Sequence, residues 1–93
     1  MERDEVPFLP RGVRLHLDRV RGGWVLLAPE RAVSLDTVAH AVLSEIDGAR
    51  SFGAIVDALA TRYDALPAQI EGDAAGLLRA LRDRRFLEVR PCP

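Results

Sequence analysis

The sequence predicts an α+β fold of the winged helix-turn-helix kind, a three-stranded antiparallel sheet followed by three helices, with a short C-terminal strand left open as an addition. Three observations predict it. Residues 13–35 form three short apolar–polar runs broken at Gly22-Gly23 and Pro29-Glu30, the period-two pattern of half-buried strands. From residue 36 the apolar spacing changes to three and four, the period of an amphipathic helix. At 93 residues the chain has the size of one domain with one limited core. The expected organisation is a single domain over 1–93: an extended arm (1–10), a β-meander (11–35), a three-helix unit (36–86) and a tail (87–93).

The arm carries Pro7 and Pro10 among mixed charges, a composition that favours extended chain. Val13, Leu15 and Leu17 alternate with Arg14, His16 and Asp18, so the first strand has one apolar and one wet face. Arg21-Gly22-Gly23 supplies a turn. Trp24–Leu27 is a more continuously apolar second strand and is expected to be better covered. Pro29 cannot donate to a ladder and belongs at its end. Arg31–Leu35 is the third strand, with Val33 and Leu35 on one face, and no later segment is obviously assigned to pair with it.

Asp36 is a good N-cap for the first helix, whose stripe is Val38, Val42, Leu43 and Ile46 and which Gly48 is expected to stop. Ser51 caps the second, with Phe52, Ile55, Val56, Leu59 and Tyr63 as its buried face. The tight Gly48-Ala49-Arg50 connection between these two helices is of the helix-turn-helix type. Pro67 opens the third helix at a position that tolerates it, and Ile70, Ala74, Leu77, Leu78 and Leu81 are its inner stripe. Gly72 and Gly76 each weaken that helix by roughly 1 kcal/mol relative to Ala, so a close backbone approach is expected at one or both. Asp83-Arg84-Arg85 ends it, and Phe86–Val89 has the pattern of a short strand or wing.

Composition excludes several classes. The chain is 48% hydrophobic and 29% charged with a net charge of −1, which argues for a globular protein and against a dedicated nucleic-acid binder. No apolar run approaches the roughly 18 residues a membrane span needs, and the acidic N-terminus lacks a signal-peptide core. The single cysteine, Cys92, makes no internal disulfide; it reads as an incidental tail residue and fits a reducing cytoplasm. All thirteen basic residues are arginine; this reads either as a GC-rich coding bias or as a surface suited to acidic peptide partners, since arginine holds its charge and forks onto carboxylates.

Catalytic chemistry has no constellation here. His16 and His40 lack neighbours at metal-ligand spacing, so no metal is expected. Ser34, Ser44 and Ser51 read as strand, helix surface and cap. Asp18 and Glu30 could meet across strands, yet without a pocket to desolvate them they make poor acid–base groups. The expectation is a non-enzyme that needs no cofactor. Trp24, the lone tryptophan, is either a sheet-covering aromatic or a partner-facing anchor. Arg79, Arg82, Arg84 and Arg85 form a solvated face, a DNA-contacting recognition helix, or a surface for an acidic segment of a peptide or partner enzyme.

Pro10-Arg11-Gly12-Val13-Arg14-Leu15, Asp18, Arg21, Trp24, Leu26-Leu27, Pro29-Glu30, Asp47-Gly48, Ile55-Val56 and Asp73 together resemble the PqqD family, the peptide chaperones of pyrroloquinoline quinone (PQQ) biosynthesis. The resemblance covers about residues 6–90 and rests on the spacing RG…D…RG.W.LL.PE. It implies a RiPP recognition element: a winged helix-turn-helix domain, free of cofactor, that holds the leader of the precursor peptide PqqA and presents it to PqqE, a radical SAM enzyme. It further implies that the leader adds beside the third strand and packs against the third helix. On this chain that groove would be Arg31, Ala32, Val33, Ser34 and Leu35 facing Gly76, Leu77, Arg79, Ala80 and Asp83. Strand addition uses main-chain hydrogen bonds for affinity and alternate side chains for specificity, and Val33 is expected to offer an edge donor.

Arg11, Arg14, Asp18, Arg21 and Glu30 could form an ion network, but exposed pairs stabilise by only about 0–1 kcal/mol each. With Trp24 they are the expected docking surface for the partner enzyme. The expected state is a cytoplasmic monomer or weak homodimer without nucleic acid or membrane. The rivals are a winged-helix DNA-binding protein, with the third helix in the major groove, and a structural dimer pairing free edges or swapping the 1–10 arm.

Overall fold

The computed structural model describes residues 1–91; Cys92, read from sequence as an incidental thiol, lies outside them. Its elements run β1 (Val6–Phe8), β2 (Arg14–Asp18), β3 (Gly23–Ala28), β4 (Arg31–Leu35), α1 (Thr37–Ser44), α2 (Phe52–Tyr63), α3 (Pro67–Asp83) and β5 (Glu88–Arg90). The sheet β2-β3-β4 is the expected antiparallel meander, and three helices follow it.

Register gives each sheet face its character. Leu15, Leu26 and Val33 stand in one cross-strand row, and Leu17, Trp24 and Leu35 in the next. Partners across an antiparallel ladder share a face, so these rows form the inner side, and Leu26 is fully buried there. Arg14, Leu27 and Ala32, then His16, Val25 and Ser34, make the outer side. Val25 and Leu27 are only half-buried, so the second strand is covered on one face alone. Beneath the sheet, Val42, Leu43, Phe52, Ile55, Val56, Leu59, Leu78, Leu81, Phe86 and Leu87 form a continuous core with Leu26.

The arm reading of residues 1–10 needs correction. Val6–Phe8 pairs with Glu88–Arg90 as a second, two-stranded sheet, so the short C-terminal strand left open by the sequence is present, at Glu88–Arg90 instead of Phe86–Val89, and the 87–93 segment is not all tail; Phe86 and Leu87 just before β5 are core residues. The N-terminal segment also finishes α2. A helix start leaves several backbone N–H groups unpaired. Here Phe52 N–H donates to the Glu5 carbonyl and Gly53 N–H to that of Arg3, while Ser51 Oγ accepts from Ala54 N–H. Arg3 then pairs with Asp57 on α2 and Glu71 on α3; these carboxylates, Glu71 foremost, raise its pKa above the ordinary value.

The helices depart from expectation at the end of α1, at two stripe residues and at the α3 glycines. α1 is capped by Asp36 as expected but stops at Ser44, not at Gly48. The 45–50 segment is instead pinned by Arg50, paired with Glu45 and Asp47. Asp47 accepts the N–H groups of Arg50 and Ala49, and these hold its carboxyl down to about 2. Val38 and Tyr63, assigned to inner stripes, are 63% and 51% exposed. A Cβ at Gly72 or Gly76 would meet nothing within 4 Å, so no backbone approaches there. α3 ends in a tight 6→1 closure, Phe86 N–H to the Leu81 carbonyl, with Arg85 at φ 63, the left-handed residue such closures need.

Candidate functional site

β4 is an edge strand: it pairs with β3, and among the described residues no strand takes its other side. The β3–β4 hairpin sets which of its groups are free. Ala28 and Arg31 flank the two-residue Pro29-Glu30 turn, so they exchange the first pair of hydrogen bonds, and alternation hands the next to Val33 and then Leu35. The main-chain groups of Ala32 and Ser34 therefore face outward. Val33, expected to offer the edge donor, spends its N–H on β3.

α3 runs alongside this edge in the opposite direction. At one end Arg31 Nη1 donates to the Arg84 carbonyl at 2.6 Å. At the other, Ile70 and Asp73 of α3 face Thr37 and Val38, just beyond β4, across a cavity. Ile70, Asp73, Leu77, Ala80 and Arg84 lie on one flank of a 3.6-residue helix, so Leu77 and Ala80 fall between those two anchored ends. Of the five α3 residues expected in the groove, Leu77 (half-buried) and Ala80 (exposed) are on this flank. Gly76 and Asp83 are exposed at its outer border, and Arg79 lies further round the helix toward solvent. Asp73 and Ile70 belong to the flank and were missed.

The cavity at the far end encloses about 280 Å³ among Val38, Ala41, Leu59, Tyr63, Ile70 and Ala74, with Gln69 and Asp73 at its polar side. Its walls suit one apolar side chain. Val38 and Tyr63 are its exposed rim, and Leu66, 72% exposed, follows close in sequence. The outward groups of β4 thus lie between the Arg31–Arg84 contact and this apolar cavity. The signal that could have found it was the pair Val38 and Tyr63, each at the border of its stripe.

The second expected surface does not assemble as one patch. Trp24 is on the inner face of the sheet, stacked on His40 of α1 with centroids 4.3 Å apart, while Arg14 is on the outer face. Asp18 accepts from the N–H groups of Val20 and Arg21 and shapes the β2–β3 loop. Arg11 and Glu30 are at the opposite end, where Gly12 approaches Pro29. No ion pair links Arg11, Arg14, Asp18, Arg21 and Glu30 among the described residues. No group of His, Cys, Asp and Glu among those residues is arranged to hold a metal ion, and no helix is long and apolar enough to cross a membrane.

Comparison with known proteins bears on the family and the fold. The profile of a family described as coenzyme PQQ synthesis protein D (PqqD) matches residues 23–87. A Xanthomonas axonopodis pv. citri protein named PqqA binding protein is 48% identical over 87 residues, covering 94% of this chain and 95% of its own. A Rhodopseudomonas palustris protein of the same name is 48% identical over 81 residues, covering 87% and 79%. Among solved structures, the solution structure of the PqqD part of Methylobacterium extorquens PqqCD, described as a functional stand-alone RiPP recognition element, is 51% identical. It superposes with a TM-score of 0.77 over 89% of this chain and 88% of its own. The crystal structure of PqqD from Xanthomonas campestris is 44% identical, with a TM-score of 0.60 over 95% and 98%.

Proposed function

The chain belongs to the PqqD family, and from that premise we propose that it is a non-catalytic peptide chaperone of PQQ biosynthesis that binds the precursor peptide PqqA as an added strand on β4. The observation that carries the reading is the unpaired β4 edge, tied to α3 by the Arg31–Arg84 hydrogen bond, with an apolar cavity just beyond its far end. Ala32 and Ser34 supply main-chain hydrogen bonds to the leader. Val33, Leu35, Leu77 and Ala80 form the floor and wall, and the cavity beneath Val38 takes an apolar leader residue; alternate side chains of an added strand reach such pockets. Gly76, Arg79 and Asp83 stay at the border.

Holding the leader in a fixed frame lets the domain present PqqA to the radical SAM enzyme PqqE. In this reading the chemistry resides in that enzyme, and this chain supplies no cofactor, metal or catalytic group. Arg14, with Arg21 and Asp18 at one end of the sheet and Arg11 and Glu30 at the other, offers charged contacts for docking; Trp24 serves the fold. Charge reversal at Arg21 weakens enzyme docking more than peptide binding, and equal loss of both would count against that division. The domain works in the cytoplasm as a monomer or weak homodimer, without nucleic acid or membrane.

Isotope-edited NMR of the labelled chain with unlabelled PqqA tests the groove. Amide shifts are expected at Arg31–Leu35, on the α3 flank from Ile70 to Arg84 and around Val38. Shifts confined to the outer sheet face, or none, would overturn it. Random duplex DNA at low salt should give no comparable shifts in α3.

A further inference from the structure

A second concave surface lies on the other side of the Arg31–Phe86 contact. It is a cleft of about 610 Å³ between the β1–β5 pair, the β3–β4 turn and the end of α3. Five of the chain's thirteen arginines line it, Arg11, Arg31, Arg82, Arg85 and Arg90, against a single acid, Glu88. None of the five is ion-paired among the described residues; the paired arginines are Arg3, Arg50 and Arg62. In a chain of net charge −1 this is a marked segregation of charge. Like charges around a concave wall repel and focus a positive potential into it, so fold stability does not account for their clustering, whatever single contacts Arg31 and Arg90 make.

Two of the five are held by groups that orient a guanidinium without neutralising it. Arg90 donates to the Gly48 carbonyl at 2.6 Å and lies over the Phe8 ring at 4.7 Å. Arg31 is held in the same way by the Arg84 carbonyl and the Phe86 ring. Their charge is fixed in place and left for a ligand. Between the arginines the lining is apolar: Phe8, Val13, Ala28, Leu87 and Val89. A bare phosphate offers nothing to that floor, whereas an extended chain alternating carboxylate and aliphatic side chains matches both parts.

We propose that this cleft binds an acidic, extended segment of a partner protein through forked arginine–carboxylate contacts. Arg31, with Arg84 and Phe86, forms the ridge between cleft and β4 groove, so the segment sits there while the groove holds its peptide. The inference does not depend on what the groove binds.

The test is binding of three probes to the full chain, read on arginine Nε–H signals and backbone amides: a decapeptide alternating Glu and Val, its Lys–Val counterpart, and inorganic phosphate. The Glu–Val peptide is expected to saturate with shifts centred on the five cleft arginines and to weaken about tenfold on going from low to moderate salt, as exposed charge contacts do. The double variant R11E/R82E, at two exposed positions outside the groove, should weaken it at least about tenfold, and R11Q/R82Q by an intermediate factor with an unchanged amide spectrum. The Lys–Val peptide should not bind. Equal shifts with phosphate, insensitivity to both double variants, or shifts centred on β4 would each overturn the proposal.

Discussion

The guanidinium carbon of Arg31, the first residue of β4, sits 4.3 Å from the centroid of the Phe86 ring, just past the end of α3. Its Nη1 meanwhile donates to the Arg84 carbonyl. One side chain therefore ties the sheet edge to the helix C-terminus, where a cation is favoured by the unpaired carbonyls. It also closes one end of the groove and separates it from the arginine cleft.

Replacing Arg31 with Ala removes this tie. A cation over a ring contributes about 0.5–2 kcal/mol depending on solvation, and the charge-assisted bond to the carbonyl about as much. Urea denaturation of R31A should show a loss of about 1–2 kcal/mol, and R31K should recover only part of it, since an ammonium cannot both stack and fork. Unchanged stability would mean that solvent already compensates these contacts.

Proline scanning of β4 separates edge donors from ladder donors. A32P and S34P remove outward N–H groups, and proline is tolerated on an edge, so both should keep the far-UV spectrum and lose most PqqA binding by calorimetry. V33P removes a bond to Leu26 and should lower thermal stability first. Full affinity in A32P and S34P would sink the strand-addition mechanism.

Val38 tests the apolar hole. At 63% exposure it can be changed to Asp with a stability change within about 0.5 kcal/mol. A carboxylate at the rim would meet an incoming apolar side chain, so V38D should bind PqqA about tenfold more weakly. An unaffected affinity would show that the peptide does not reach α1.

Glu30 occupies the left-handed region, with φ 64, at a turn position where glycine avoids a Cβ clash costing roughly 1–2 kcal/mol. E30G should raise stability by about 0.5–1 kcal/mol after glycine's extra unfolded-state entropy is counted. A drop in melting temperature would indicate that the Glu30 side chain makes a compensating contact.

Asp47 gives an acid limb to the stability profile. Its carboxyl titrates near 2 in the fold against an ordinary 3.8, so its stabilisation is complete above the ordinary value and is lost as pH falls toward 2. D47N keeps an acceptor for the Ala49 and Arg50 N–H groups but does not titrate. Its unfolding free energy should depend less on pH between about 4 and 2 than that of the parent chain, and parallel curves would refute the assignment.

Strand and cap positions were legible because they obey local rules. Asp36 and Ser51 accept the N–H groups that helix starts leave unpaired, and Pro29-Glu30 breaks the apolar alternation. Tyr63, Val38 and the donor set of β4 were not legible in the same way. An apolar residue at the border of a stripe reads as core until its neighbours are placed, and Val33 reads as an edge donor until the hairpin phase is known. The strand Val6–Phe8 was missed because its partner is some eighty residues away, and Pro7 disguises it.

By itself, the sequence determined the family, the α+β order of elements, the meander and the helix starts, all of which follow from side-chain period, capping and turn chemistry over a few residues. Only the tertiary structure decided that the N-terminal segment completes α2 and pairs with β5, that β4 and α3 run side by side with an apolar hole at one end, and that five dispersed arginines converge on one cleft. These depend on distances between residues far apart in the chain, which no local pattern encodes.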